Sequence, residues 1–169
     1  MTNTEAPNKD AMLVELAMAH ARDGVAAIER RLAGGPLPST LDGRLRLFVR
    51  AAIDNHRDDP ALHRVLFEQA PRPPELLEFL HAAEEQAIAA ARELLAADPR
   101  VTVADVPMAA RLVVNAIESL VHRFVAQDHP GGRLQDAGRF EDELVDMLTR
   151  YLTGPRDAPG AAGSGDATA

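Results

Sequence analysis

Apolar residues recur along this chain every three to four positions, in stretches divided by proline and glycine. That spacing puts them on one face of a helix, because each helical residue advances the chain about 100°. No segment alternates with period two over a useful length, and β-branched residues are sparse, so the pattern predicts an all-α fold. The borders define six helices. The first runs from about Asn8 to Leu32, with Asn8 as its cap and Asp10 in its first turn, and stops at Gly34-Gly35-Pro36. The second runs from about Thr40 to Arg57. The third is short, with Asp59 as cap and Pro60 at its first position, and ends near Gln69. The fourth starts at Pro73-Pro74 and ends near Asp98-Pro99. The fifth covers about Val103 to Gln127, with Pro107 tolerated in its first turn. A turn at Asp128-His129-Pro130-Gly131-Gly132 leads to the sixth, from about Gln135 to Leu152. From Gly154 the tail is Gly, Ala, Pro and Ser with few charges, and residues 154–169 are expected to be disordered.

The faces of these helices carry the next layer of information. On the fifth, Ala109, Leu112, Val113, Ala116, Ile117, Leu120, Val121, Phe124 and Val125 cover an arc of about 220°, against about 100° for a single-face stripe. Such a helix needs cover from two sides, one of them the domain's own core. The sixth offers Phe140, Leu144, Met147, Leu148, Tyr151 and Leu152 as a companion stripe. A second copy of the chain is the expected outer cover, giving a symmetric homodimer. The alternative is a monomer with a well-wrapped central helix.

Some polar residues interrupt apolar faces. His56 continues the stripe Leu41, Leu45, Phe48, Val49, Ala52 and Ile53 on the second helix. Glu84 stands among Leu77, Leu80, Ala87, Ile88, Ala91 and Leu95 on the fourth, and His20 among Leu13, Leu16, Ala17, Gly24 and Ala27 on the first. A buried imidazole or carboxylate needs a partner or shifts its pKa. These residues therefore pair within the protein or face a cavity. Arg111, Asn115, Glu118, Ser119 and His122 form a polar strip on the fifth helix, which reads first as a solvated face. Its Asn115, Ser119 and His122 are secondary candidates for a pocket border.

Composition narrows the classes. The 169 residues suffice for one domain, and 46% apolar with 26% charged residues is a soluble globular balance. No run is long enough to span a bilayer, and no signal pattern opens the chain. With no cysteine, disulfides and thiolate metal sites are excluded, and a cytoplasmic address is expected. Net charge is −8, and Lys9 is the sole lysine, with the arginines scattered among acids. No basic patch of the kind phosphates require is visible, so no nucleic-acid contact by this chain is expected. His20, His56, His63 and Glu84 are ligand types suited to zinc. They come from four different helices with no local spacing motif, so neither metal nor cofactor is expected.

Pro7-Asn8-Lys9-Asp10-Ala11-Met12-Leu13 resembles the junction in tetracycline-repressor-like (TetR) regulators where the DNA-reading module ends and the sensor domain begins. The stretch from His56 to Pro71 resembles the short helix and following turn of TetR sensor domains. Arg72-Pro73-Pro74-Glu75-Leu76 opens a long helix as it does there, and Phe140 to Leu148 resembles the final helix. The resemblance implies a six-helix sensor domain over residues 8–153, with residues 1–7 a disordered remnant. It also implies a four-helix bundle formed by the last two helices of each subunit. That seam would hold Leu112, Ala116, Leu120, Phe124, Phe140, Leu144, Met147, Leu148 and Tyr151. A ligand cavity lies among the remaining helices in that family. It implicates His20, Phe48, His56, His63, Phe67, Phe79 and Glu84, with Asn115, Ser119 and His122 beside them. Only seven residues precede Asn8, so the sequence is expected to be the sensor half without a helix-turn-helix. The family usually has an aromatic residue where Ala6 stands; natural loss, truncation and misannotation all stay open.

The expected function is small-molecule sensing and dimerisation, with an unidentified effector. One alternative is a structural helical dimer with no ligand, or one that pairs with an intact relative and blocks its DNA binding. The other is an enzyme using a His/Glu pocket, for which the chain offers no Gly-x-Ser-x-Gly elbow, phosphate loop or His-Glu-x-x-His.

Overall fold

The computed structural model describes residues 9–57, 71–126 and 136–154. These residues form five α-helices and no strand: α1 (Lys9–Ala33), α2 (Leu41–Arg57), α3 (Pro74–Ala96), α4 (Val106–Ala126) and α5 (Ala137–Thr153). The short helix expected at 59–69, the Asn8 cap and the expected tail from 155 onward lie outside the described residues.

Local chemistry sets the helix starts. Thr40 caps α2, its Oγ1 accepting the Gly43 N–H at 3.1 Å. Pro74 opens α3, where its missing N–H leaves no intrahelical bond unmade. α4 begins at Val106 rather than near Val103, because the Asp105 carboxylate accepts the Met108 N–H at 2.9 Å. Residues ahead of Asp105 are committed elsewhere: Thr102 donates its N–H to the Leu152 carbonyl at 2.8 Å and its hydroxyl to the Gly154 carbonyl at 2.8 Å. That strap ties the entrance of α4 to the end of α5.

α2 is the central helix, packed on α1, α4 and α5, while α3 covers α4 and touches α1. Its Leu41, Leu45, Val49, Ala52 and Ile53 join Ile88 and Leu95 of α3, Ala109, Ala110, Val113, Ile117 and Val121 of α4, and Leu144, Val145, Leu148 and Leu152 of α5 in one core. Leu13 and Ala17 of α1 with Leu76 of α3 make a smaller one. Gly24 lets α1 approach α2, since a Cβ there would meet the Asn55 side-chain amide at 2.8 Å.

Four apolar residues expected to face inward do not, Ala87 among them. Leu16, Leu77 and Leu80 are exposed, and Leu76 takes the inner position on α3. The buried face of α3 turns along its length: Leu76 meets α1, whereas Ile88 and Leu95 a few turns later face the main core. A single stripe drawn at fixed pitch misses that change of partner.

Two charge clusters fasten the helices. Glu141, at the start of α5, is buried and accepts from Arg50 Nη2 at 2.7 Å, Arg50 Nε at 3.1 Å and Arg46 Nη1 at 3.0 Å. Asp98, after α3, accepts the Arg100 N–H at 3.0 Å and its guanidinium at 2.9 and 2.6 Å, with Arg44 at 3.4 Å. Arg44 also donates to the Pro38 carbonyl at 2.8 Å, so the end of α3 is tied to the turn before α2. The hydrogen bonds from Arg100 hold the Asp98 carboxyl down at about 2, against an ordinary 3.8, and outweigh the opposing effect of burial. Arginine side chains rather than hydrocarbon cover this carboxylate, which is why its charge is favoured.

A folded-state pKa below the unfolded one stabilises the fold above the unfolded value and loses that stability as pH falls through the folded one. Asp98→Asn is therefore expected to cost about 2 kcal/mol near neutrality in urea denaturation. The gap should close as pH falls from about 4 toward 2. A gap of constant size across that range contradicts the assignment.

Candidate functional site

His56 ends the inner stripe of α2, one helical turn beyond Ala52, and is 4% exposed. Its Nδ1 lies 2.9 Å from the Ala52 carbonyl oxygen. A carbonyl only accepts, so Nδ1 carries the hydrogen and Nε2 of the neutral ring carries the lone pair. Nε2 stands 4.0 Å from Oε2 of Glu118 on α4. One turn along α4, His122 meets His56 edge-on, with ring centroids 5.8 Å apart and planes at 71°.

Three further ionisable groups act on this cluster. His20 of α1 acts on His56, Glu84 of α3 on Glu118, and Arg72, ahead of α3, on His122. Four helices and the approach to α3 thus converge on one polar site in an otherwise apolar array. Burial pushes the His56 imidazole below its ordinary value, assisted by His20 and opposed by the bond to Ala52. Burial also lowers His122, with His56 and Arg72 acting the same way and Glu118 against them. Both rings therefore favour the neutral form near pH 7.

Glu118 shifts in the opposite direction from Asp98. Burial pushes its carboxyl up, Glu84 adds to the push, and His122 opposes it. Yet 59% of its side chain is accessible to solvent. Glu118 thus stands exposed on α4, beside His56 of α2 and near enough to Glu84 of α3 to feel its charge.

The expected site residues divide accordingly. His20, His56, Glu84 and His122 come together around Glu118. Phe48 is half-buried against the main core, and Phe79 is half-buried on α3. Asn115 and Ser119 are exposed on α4. His63 and Phe67 lie outside the described residues. Glu118 itself was read as part of a solvated strip, and Arg72 only as part of a helix entrance. The strip is in fact split, since Glu118 and His122 sit on the edge of α4 toward the His56 end of α2. The spacing Glu118-x-x-x-His122, one helical turn, was the available signal. Among the described residues, no three His, Asp or Glu side chains are grouped to hold a metal ion.

Two surface grooves lie apart from this cluster. One of about 280 Å³ runs between α3 and α4, lined by Ile88, Arg92, Met108 and Arg111 among others. The other, about 420 Å³, includes Thr102, Val103, Met108 and Tyr151. The outward faces of α4 and α5 carry Met108, Leu112, Leu120, Met147 and Tyr151, all exposed at between 38% and 51%. Of the other expected seam residues, Ala116 is half-buried, and Phe124 and Phe140 are half-buried and stacked on each other with centroids 4.1 Å apart. Leu144 and Leu148 must be moved off the seam, because at 3% and 4% exposure they fill their own chain's core against α2. No described helix is long and apolar enough to cross a membrane.

The family model described as "Tetracyclin repressor-like, C-terminal domain" matches residues 40–152. Comparisons with curated proteins and with solved structures bring no match.

The local electrostatics are open to direct measurement. Histidine C2–H titration by NMR is expected to give His56 and His122 midpoints below the ordinary 6.5. Glu118→Gln removes the charge that holds His122 up, so its midpoint should fall further, with His56 moving less. A His122 midpoint that stays put or rises in the variant removes Glu118 from its neighbourhood.

Proposed function

Because the chain belongs to the tetracycline repressor-like C-terminal domain family, we propose that it is a sensing and dimerising domain of a transcriptional regulator, with its effector seated against Glu118, His56 and His122. The observation that carries this reading is the polar cluster itself: a buried imidazole of fixed tautomer on α2, with the Glu118 carboxylate of α4 at 4.0 Å and the His122 ring against it edge-on. Pockets for small molecules are mostly apolar with a few polar groups placed to orient the ligand. Domains of this family are regulatory and typically dimerise and bind small effectors, rather than catalysing reactions. Cytoplasmic work fits such a role.

The seam is formed by the exposed residues of α4 and α5, with Leu112, Leu120, Met147 and Tyr151 meeting their counterparts in a symmetric four-helix contact. An exposed apolar patch of this kind, rimmed by polar residues, is the usual mark of a protein interface. With net charge −8 and one lysine, the residues present are not a DNA-contacting surface. Signalling follows from position. α4 carries Glu118 and His122 on one edge and the seam on another, so a ligand that favours one placement of α4 also favours one geometry of the dimer.

Two experiments test the reading. A thermal-shift screen of the purified protein against a metabolite and drug library should yield a specific binder that raises the melting temperature with concentration. Glu118→Gln should abolish or strongly reduce that shift while leaving the unliganded melting temperature within about 1 °C, as befits an accessible side chain. No binder across the library would favour a structural dimer without a ligand. Separately, sedimentation velocity should show a dimer that the double variant Leu112→Glu/Met147→Glu converts to folded monomer. A wild-type monomer at tens of micromolar, or a variant that still dimerises, would sink the seam assignment.

A further inference from the structure

We infer that the groove between α3 and α4 is a binding site for a small organic carboxylate, an anion with one charged end and a short apolar body, held by Arg92. The site lies apart from the Glu118 cluster and does not depend on how that cluster is read. The groove has a volume of about 280 Å³, and its floor is apolar: Ile88 and Ala89 line it from α3, Pro107 and Met108 from α4. Four charged side chains share the lining, and three of them are engaged. Arg111 grips Glu85 with both ends of its fork, Nη1 to Oε1 at 2.9 Å and Nη2 to Oε2 at 3.3 Å. The Asp105 carboxylate accepts the Met108 N–H at 2.9 Å. Arg92, one turn of α3 beyond Ile88, is exposed, and among the described residues it makes no ion pair. Its guanidinium is therefore the donor that the groove leaves for a ligand.

The class of anion follows from the same residues. A planar guanidinium fork meets a carboxylate with two parallel hydrogen bonds, a geometry that a point charge cannot supply. Glu85 and Asp105 share the lining, so a doubly charged phosphate meets more repulsion there than a singly charged carboxylate. The apolar floor separates an organic acid from a bare ion. Acetate covers little of it, whereas a phenyl ring removes Ile88, Pro107 and Met108 from water. The volume falls just short of the range for drug-sized ligands, which keeps the body short. Because Arg92 is exposed, solvent screens its charge, and the floor and the fork must act together.

Four probes decide the matter: benzoate, benzyl alcohol, acetate and phenyl phosphate, each titrated into the isotope-labelled full chain and followed by backbone amide shifts. Benzoate is expected to move the amides of Ala89, Arg92, Met108 and Arg111 to saturation. Benzyl alcohol and acetate should bind about tenfold more weakly or not at all, and phenyl phosphate less tightly than benzoate. Arg92→Gln should weaken benzoate about tenfold. Ala89→Glu, which sets a carboxylate one turn from Arg92, should abolish its binding. Arg139→Gln removes the same charge from a side chain 87% exposed on α5 and should leave benzoate affinity unchanged. Absence of shifts with benzoate, or shifts confined to the Glu118 cluster, overturns the groove assignment. So does benzoate affinity that Arg92→Gln leaves unmoved or that Arg139→Gln lowers equally. Benzyl alcohol or phenyl phosphate binding as tightly as benzoate overturns the carboxylate class.

Discussion

The burial of α2 on three sides is the constraint on which the rest of the structure depends. Seventeen residues must satisfy α1, α4 and α5 at once. The apolar stripe from Leu41 to Ile53 supplies the hydrophobic contact, and each fully buried aliphatic side chain contributes roughly 1.5–3 kcal/mol. The flanks are polar, and they are used rather than left to solvent. Arg46 and Arg50 reach Glu141 on α5, and Arg44 reaches Asp98 beyond α3. The same helix thus provides the core contact and the clamps that fix its register against its neighbours. His56 is then carried inward because it is next on the stripe, with no remaining face on which to escape.

Charge is treated in two opposite ways in this fold. Glu141 and Asp98 are covered, but each is surrounded by guanidinium groups at hydrogen-bonding distance. Removing a carboxylate from water costs several kcal/mol unless such partners repay it, and here they do. Asp98 accordingly sits well below its ordinary pKa. Glu118 sits above its own, because burial dominates and its charged neighbours, Glu84 and His122, oppose each other.

Much of this was legible from periodicity alone. The all-helical class, the five described helices and the inward position of His56 follow from apolar spacing and proline borders. What periodicity lacks is knowledge of neighbours. The wheel for α3 gives one stripe, yet the helix changes partner along its length, so Leu76 is buried and Leu77 and Leu80 are not. The wheel for α5 gives one apolar face, but cannot divide it between core and seam; Leu144 and Leu148 go inward, while Met147 and Tyr151 stay outside. Glu118 was unreadable for the same reason. Its angle on α4 is plain from sequence, but the approach of His56 at 4.0 Å exists only once α2 is in place. The early start given to α4 had another cause: Asp105 competes as a cap, and Thr102 is drawn off by the end of α5.

The division of α4 into edges has a mechanical consequence. Ala109, Ala110 and Val121 are 0% exposed, so the inner face of α4 is packed without slack along its length. Close-packed interiors do not deform by small continuous amounts; they shift as units between discrete arrangements. A displacement of Glu118 or His122 therefore cannot be absorbed by local rearrangement behind the helix; it moves α4 as a rod. Movement of that rod carries Leu112 and Leu120 with it, because they share its backbone and project from another edge. The strap from Thr102 to Leu152 and Gly154 then joins the entrance of α4 to the end of α5, so both exposed faces respond together. Coupling between the Glu118 edge and the exposed outer face of α4 requires no relay of intermediate side chains. It requires only that one helix carry both, and that its third face be too well packed to yield.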